Sequence, residues 1–142
     1  MHVQHWGRLI THTLFIVEDH KVMRAALLEL LAGEPDLKVL GVAASAEEAL
    51  QDLSELHPDL VLVDVSLPGL SGIDLVRRLT RQHPGLKALM VSGHSEVPYA
   101  RAALKAGARG FVTKDAPDTL LEAVHDVLAG ETFVTERLRS LL

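Results

Sequence analysis

Three carboxylates, two hydroxyls and one lysine of this 142-residue chain stand just where short aliphatic runs end. Glu18 and Asp19 follow Leu14-Phe15-Ile16-Val17, and Asp64 follows Leu60-Val61-Leu62-Val63. Ser92 follows the run from Leu86 to Val91, and Thr113-Lys114 follow Gly110-Phe111-Val112. Carboxylates gathered in one place repel one another, so they stay ionised at neutral pH only beside a cation or a compensating lysine. Oxygen donors alone, with no His or Cys among them, suit a hard ion such as Mg²⁺. A lysine offers a point charge, and a serine a hydrogen-bond donor, to the oxygens of a phosphoryl group. An Asp carboxylate is a competent nucleophile in acyl-phosphate formation, and phosphoryl transfer asks mainly for positioning and charge neutralisation. Taken singly, each residue has an ordinary reading: Asp64 as a turn former or helix cap, Glu18-Asp19 as the entry to a helix, Lys114 as a surface lysine. Their placement together is what points to chemistry.

That placement depends on the elements that carry the residues. Leu37 to Val42 is a fifth aliphatic run, and the residues it delivers at its end, Gly41 to Ala44, carry no such chemistry, as expected of an outer strand. Runs this apolar at successive positions suit strands covered on both faces, as in a parallel sheet. Between them lie helical patterns. Val22, Met23, Ala26, Leu27, Leu30 and Leu31 recur at helical spacing until Gly33 and Pro35 end the segment. Ser45-Ala-Glu-Glu48 predicts a capping box that opens a helix through Leu53 and Leu56, stopped by Pro58. Ser71-Gly72 opens a third helix with Ile73, Val76 and Leu79, ending near Pro84. Ser95 opens a fourth, from about Pro98 to Lys105. Its apolar content is only Tyr99, Ala102, Ala103 and Leu104, so it should be held less firmly than its neighbours. Asp115 is the expected cap of a fifth, with Pro117 in its first turn, Leu120, Leu121, Val124 and Leu128 on its buried face, and Gly130 at its end. The result is an α/β chain of the form (βα)5. Right-handed crossovers place helices on both faces of a parallel sheet, and the functional crevice of such a sheet lies beyond the carboxyl ends of its strands.

Composition narrows the function. The chain is 48% hydrophobic and 23% charged, as ordinary globular proteins are. It has no cysteine, which excludes disulfides, zinc–thiolate sites and thiol chemistry. A net charge of −5 is not the footprint of a nucleic-acid binder, so this domain itself is expected to make no nucleic-acid contact. No apolar run approaches a membrane span, and residues 1–11 do not read as a signal peptide, so no membrane association and a cytoplasmic location are expected. Residues 1–12, with His2, His5 and Trp6, are expected to form a flexible N-terminal arm rather than a metal patch.

From Thr13 to about Thr132 the chain resembles the CheY-like receiver domain of two-component response regulators. The resemblance rests on Glu18-Asp19, on Asp64-Val-Ser-Leu-Pro68-Gly-Leu-Ser-Gly72, on Ser92, and on Ala106-Gly-Ala-Arg-Gly-Phe-Val-Thr-Lys114-Asp115. It implies a doubly wound, flavodoxin-like, five-stranded parallel sheet of order 2-1-3-4-5. It also implies roles. Asp64 is the phosphoacceptor, and Glu18, Asp19, Asp64 and the backbone carbonyl of Ser66 hold Mg²⁺. Ser92 and Lys114 bind the phosphoryl group, and Ser92 and Phe111 act as the switch, with plain core packing as the alternative for Phe111. Pro68 and Gly72 shape the loop after Asp64. Ser66 and His94 flank the site and are expected to govern water access.

Val17-Glu-Asp-His20 and Ala129-Gly-Glu-Thr-Phe-Val-Thr135 resemble the NarL/LuxR-type subgroup, whose members carry a helix-turn-helix domain after the receiver. Residues 133–142 are then a tail or the start of a linker, in a receiver standing without its output domain or in a single-domain regulator. The partners implied are a sensor histidine kinase, a second copy on phosphorylation, and DNA only through the output domain. The protein is expected to be no enzyme beyond slow autodephosphorylation. A phosphatase of the haloacid dehalogenase type wants a second Asp where Ser66 stands, and a nucleotide-binding module would not place Glu18-Asp19 in its phosphate loop. A receiver that binds partners without being phosphorylated is the remaining alternative.

Overall fold

Strand and helix alternate through the described residues, 11–93 and 97–142 of a computed structural model. The elements are β1 (His12–Val17), α1 (Lys21–Ala32), β2 (Leu37–Ala43), α2 (Ala46–Asp52), β3 (Leu60–Asp64), α3 (Gly72–Gln82), β4 (Lys87–Ser92), α4 (Val97–Ala106), β5 (Gly110–Thr113), α5 (Pro117–Leu128), β6 (Phe133–Val134) and α6 (Glu136–Arg139). Every pairing is parallel, in the order β2-β1-β3-β4-β5-β6. The five expected strands thus take the expected order, and a sixth extends the sheet.

Strand periodicity of two divides the core. Leu14, Ile16, Leu60, Leu62, Leu89, Val91 and Val112 meet Leu27 and Leu31 of α1 and Leu120, Val124 and Val127 of α5. Their neighbours Phe15, Val17, Val61, Val63, Met90 and Phe111 face the other way, against α2, α3 and α4. Two covered faces explain why the strands read as continuous aliphatic runs.

Local signals start two helices as expected. Ser45 Oγ accepts from the Glu48 amide at 3.1 Å, and Ser71 Oγ accepts from the Asp74 amide at 3.1 Å. Other details differ. The cap residue of α5 is Ala116 with no side-chain bond, not Asp115. Pro117 at the first helical position fixes φ and needs no hydrogen-bond acceptor, which starts the helix without a polar cap. α2 ends at Asp52, short of Leu56. α4 packs through Ala100, Ala103 and Ala106, while Tyr99 is 41% exposed.

The boundary expected at Thr132 falls just short of β6. Gly130, at φ +95°, turns the chain back beside β5, where Gly110 pairs with Phe133 and Phe111 with Val134. Val134 and Leu138 are buried in the same cluster as Phe111. Phe133–Val134 and Leu138 are therefore packed onto the domain. The expectations for residues 1–10, His94 and Ser95 fall outside the described residues. No helix among the described residues is long and apolar enough to cross a membrane.

Candidate functional site

Side-chain alternation carried past the strand ends assembles the site. The period that turns Ile16, Leu62 and Val112 toward α1 and α5 turns Glu18, Asp64 and Lys114 the same way. Lys114 Nζ lies 2.9 Å from Glu18 Oε1 and 3.3 Å from Asp64 Oδ1. Glu18 is 1% and Asp64 2% exposed. The Ser66 amide donates to Asp64 Oδ1 at 3.2 Å, which folds the loop after β3 back onto its own carboxylate.

Acceptors outnumber donors here. Asp64 Oδ2, Asp19 Oδ1 and Glu18 Oε1 are buried and accept no hydrogen bond. The short approach of Lys114 to Glu18 Oε1 is thus a charge contact without hydrogen-bond alignment. Burial and then the neighbouring Glu18 charge raise the Asp64 pKa, against the pull of the Ser66 amide and Lys114. Burial also acts to raise that of Glu18, but contacts with Lys114 and His20 outweigh it and hold it below the usual value. Burial works to lower the Lys114 pKa, and the Glu18 and Asp64 carboxylates outweigh that and raise it. Of the two buried carboxylates, Asp64 is thus the one shifted toward its neutral form.

Buried acceptors without donors call for a cation. Oxygens of Glu18, Asp19 and Asp64 lie, with His20 Nδ1, within 4.8 Å of one another. The donor set fits a divalent ion. Ser66 is placed beside this group through its amide. Ser92, 1% exposed, ends β4 one residue beyond Val91, the register partner of Asp64. It continues the face of Met90 and Phe111, so the two expected switch residues lie on the α4 side of the sheet. Phe111 is fully buried there. Pro68 is exposed in the loop after Asp64, while Gly72 is buried. A Cβ on Gly72 would overlap the backbone carbonyl oxygen of Asp64, so close approach, not an unusual φ, requires glycine.

Three contributors went unread in the sequence. His20 places Nδ1 3.2 Å from Glu18 Oε2 and 3.3 Å from Asp19 Oδ1, so the premise that no histidine joins the oxygens is corrected. Its adjacency to the acidic pair was the available signal. Arg24 Nη1 donates to the Glu18 carbonyl at 2.8 Å, one helical turn beyond His20. Glu47 Oε2 accepts from the Leu70 amide at 3.2 Å and braces the loop after β3; nothing in the sequence marks that contact.

Residues 14–125 match the response regulator receiver domain. The chain belongs to this family. It is 36% identical over 130 residues to the response regulator GacA of Pseudomonas viridiflava, covering 91% of this chain and 61% of that protein. It is 41% identical, over the same shares, to the transcriptional activator protein ExaE of Pseudomonas putida. The chain thus spans about three fifths of the length of the curated relatives it matches. A two-component response regulator of the LuxR family from Aurantimonas sp. SI85-9A1 superposes with a TM-score of 0.87 at 31% identity, covering 92% of this chain and 94% of that one. That likeness agrees with the subgroup expected from the sequence.

Proposed function

We propose that this receiver domain accepts a phosphoryl group on Asp64 from a sensor histidine kinase, in a Mg²⁺-dependent reaction, and passes the change to an output through α4, β5 and α5. The observation that carries the proposal is Asp64 Oδ2, a buried carboxylate oxygen with no donor of its own, beside Lys114 and two more carboxylates. An Asp64 oxygen attacks phosphorus in line; the P–O bond forms as the P–N bond to the kinase histidine breaks, and the electron pair leaves on the imidazole. Glu18, Asp19, Asp64 and the Ser66 carbonyl would hold the ion. Bound Mg²⁺ supplies charge neutralisation for the phosphoryl oxygens. Lys114 pairs with one of those oxygens and Ser92 donates a hydrogen bond to another.

Ser92 and Phe111 share one face of the sheet, so a shift of Ser92 toward the phosphoryl group opens room beside Phe111. That biases the α4–β5–α5 surface, a local charge event with a distant readout. The output is transcription, exerted through a helix-turn-helix domain outside these residues, with a second copy as partner. Similarity to ExaE, a transcriptional activator, supports this part. Slow hydrolysis of the acyl phosphate is the only enzymatic activity proposed, and the site of action is the cytoplasm.

The test is intact-mass measurement after incubation with a small phosphodonor, with and without Mg²⁺. A Mg²⁺-dependent gain of one phosphoryl group, lost in Asp64→Asn, is expected. No gain in folded wild type would leave a partner-binding module that works without phosphorylation.

A further inference from the structure

Beside the three donor-poor carboxylate oxygens stands a nitrogen base that an oxygen-only cation site would not contain. His20 Nδ1 lies 3.2 Å from Glu18 Oε2 and 3.3 Å from Asp19 Oδ1. Ligands on one six-coordinate ion with bonds a little over 2 Å stand about 3 Å apart, so these separations match one edge of a coordination shell. Two features fix the backbone that carries the ring. The His20 amide donates to Glu18 Oε2 at 3.2 Å, and the His20 carbonyl accepts from the Arg24 amide at 2.9 Å as α1 begins. Nδ1 shares a hydrogen bond with Glu18 Oε2 at 3.2 Å. Because the ring is 66% exposed, the proton can move to Nε2 on the water side when an ion enters, and Nδ1 then offers a lone pair inward.

We propose that His20 is a nitrogen donor to this cation pocket and tilts it toward later first-row ions such as Co²⁺ over Mg²⁺, with Mn²⁺ serving only as a spectroscopic probe. The inference rests on the cation pocket proposed above. The chemistry is that of ligand hardness. Mg²⁺ prefers oxygen and gives up its water reluctantly, whereas an imidazole favours ions further along the first row. A pocket of carboxylates alone would rank these ions more weakly. One imidazole in the shell therefore sets which ion loads Asp64 for reaction when several compete.

The test uses the full chain with Mn²⁺ and Co²⁺ as probes, in wild type, His20→Gln, His125→Gln and Asp64→Asn. His125 is included because it sits with Glu34 and Asp36 in a second cluster able to hold a metal. Pulsed electron paramagnetic resonance of bound Mn²⁺ should show nitrogen coupling in wild type and His125→Gln, and none in His20→Gln. The Co²⁺-to-Mg²⁺ affinity ratio should fall on the order of tenfold or more in His20→Gln, the size expected when a group that binds or orients a metal is removed. Mn²⁺ bound without nitrogen coupling in wild type overturns the inference and leaves the phosphoacceptor reading intact. Coupling that survives His20→Gln, or vanishes in His125→Gln, also overturns it. Mn²⁺ binding as tight in Asp64→Asn as in wild type would place the ion elsewhere and bring down the cation pocket itself.

Discussion

Asp64→Asn is expected to stabilise the metal-free protein, although the proposed activity turns on Asp64. The substitution keeps the shape and removes one buried charge. A Glu18 oxygen lies at most 4.8 Å from one of Asp64, and at an effective dielectric of about 20 that repulsion is worth about 3.5 kcal/mol. Lys114, at 3.3 Å, returns about 5 kcal/mol on the same scale. Burying the carboxylate costs several kcal/mol more, because Asp64 is 2% exposed. The balance favours a neutral side chain by about 2 kcal/mol, and the raised pKa of Asp64 has the same sign. That gain corresponds to a rise of roughly 5–10 °C in Tm. The pH dependence follows. Between the ordinary value of 3.8 and the raised folded value, folded wild type holds more protons at Asp64 than the unfolded chain does. Its stability falls as pH rises through that window, so the advantage of the variant is absent below the window and complete above it. Saturating Mg²⁺ should reverse the order, since an ion at a hundred times its Kd adds about 2.7 kcal/mol to wild type and less to a variant lacking a ligand. Thermal and urea denaturation with chelator, from pH 4 to 8, then with Mg²⁺, measures each term. Asp64→Asn melting below wild type in chelator at pH 7.5 would refute the electrostatic account.

Lys114→Gln should cost about 3–5 kcal/mol without metal, because it leaves Glu18 and Asp64 buried with no cation. The variant should regain stability as pH falls, since both carboxylates then take protons more readily folded than unfolded; urea midpoints at pH 5 and 8 check this. Gly72→Ala should cost about 1–3 kcal/mol or more, since the new Cβ meets backbone that carries Asp64, and it should slow phosphoryl uptake followed by intact mass. Leu138→Ala should cost about 2–5 kcal/mol in urea denaturation because Leu138 is 3% exposed; a change within about 0.5 kcal/mol would mean that residues 133–142 do not pack on the domain.

How far the sequence could be read depends on the range of each signal. Aliphatic runs covered on both sides gave five strands, and the residues ending them gave Glu18, Asp64 and Lys114, because alternation of two runs on past the end of a strand. Long-range braces left no such mark. Glu47 reaches Leu70 across 23 positions, which no local pattern encodes. β6 is two residues long, too short to show a period. The α4 face went to alanines at 100, 103 and 106 rather than to Tyr99, and a small apolar side chain is a weak sequence signal of burial. His20 was visible but was set aside when the oxygens were counted as the whole donor set.

The packing of Phe111 suggests where a signal leaves the pocket. Moving a two-state population from 1:99 to 99:1 takes about 5.5 kcal/mol of differential interaction, and a hydrogen bond to a charged group supplies about 1.5–3 kcal/mol. On the proposed reading, Lys114 and Ser92 together give at most about 3–6 kcal/mol, and the difference between states is smaller because Lys114 is already shared between Glu18 and Asp64 before any phosphoryl group arrives. On that reading Ser92 is the contact placed to carry the change onward. It sits on the face that holds Phe111, and Phe111 shares a buried cluster with Ala103 of α4, with Val134 of β6 and with Leu138 of α6. Any rotation of that ring must repack against α4 and the segment after α5 at once, since a close-packed interior yields by discrete rearrangement rather than by give. On the proposed reading, Val134 and Leu138 are thereby part of the element being switched.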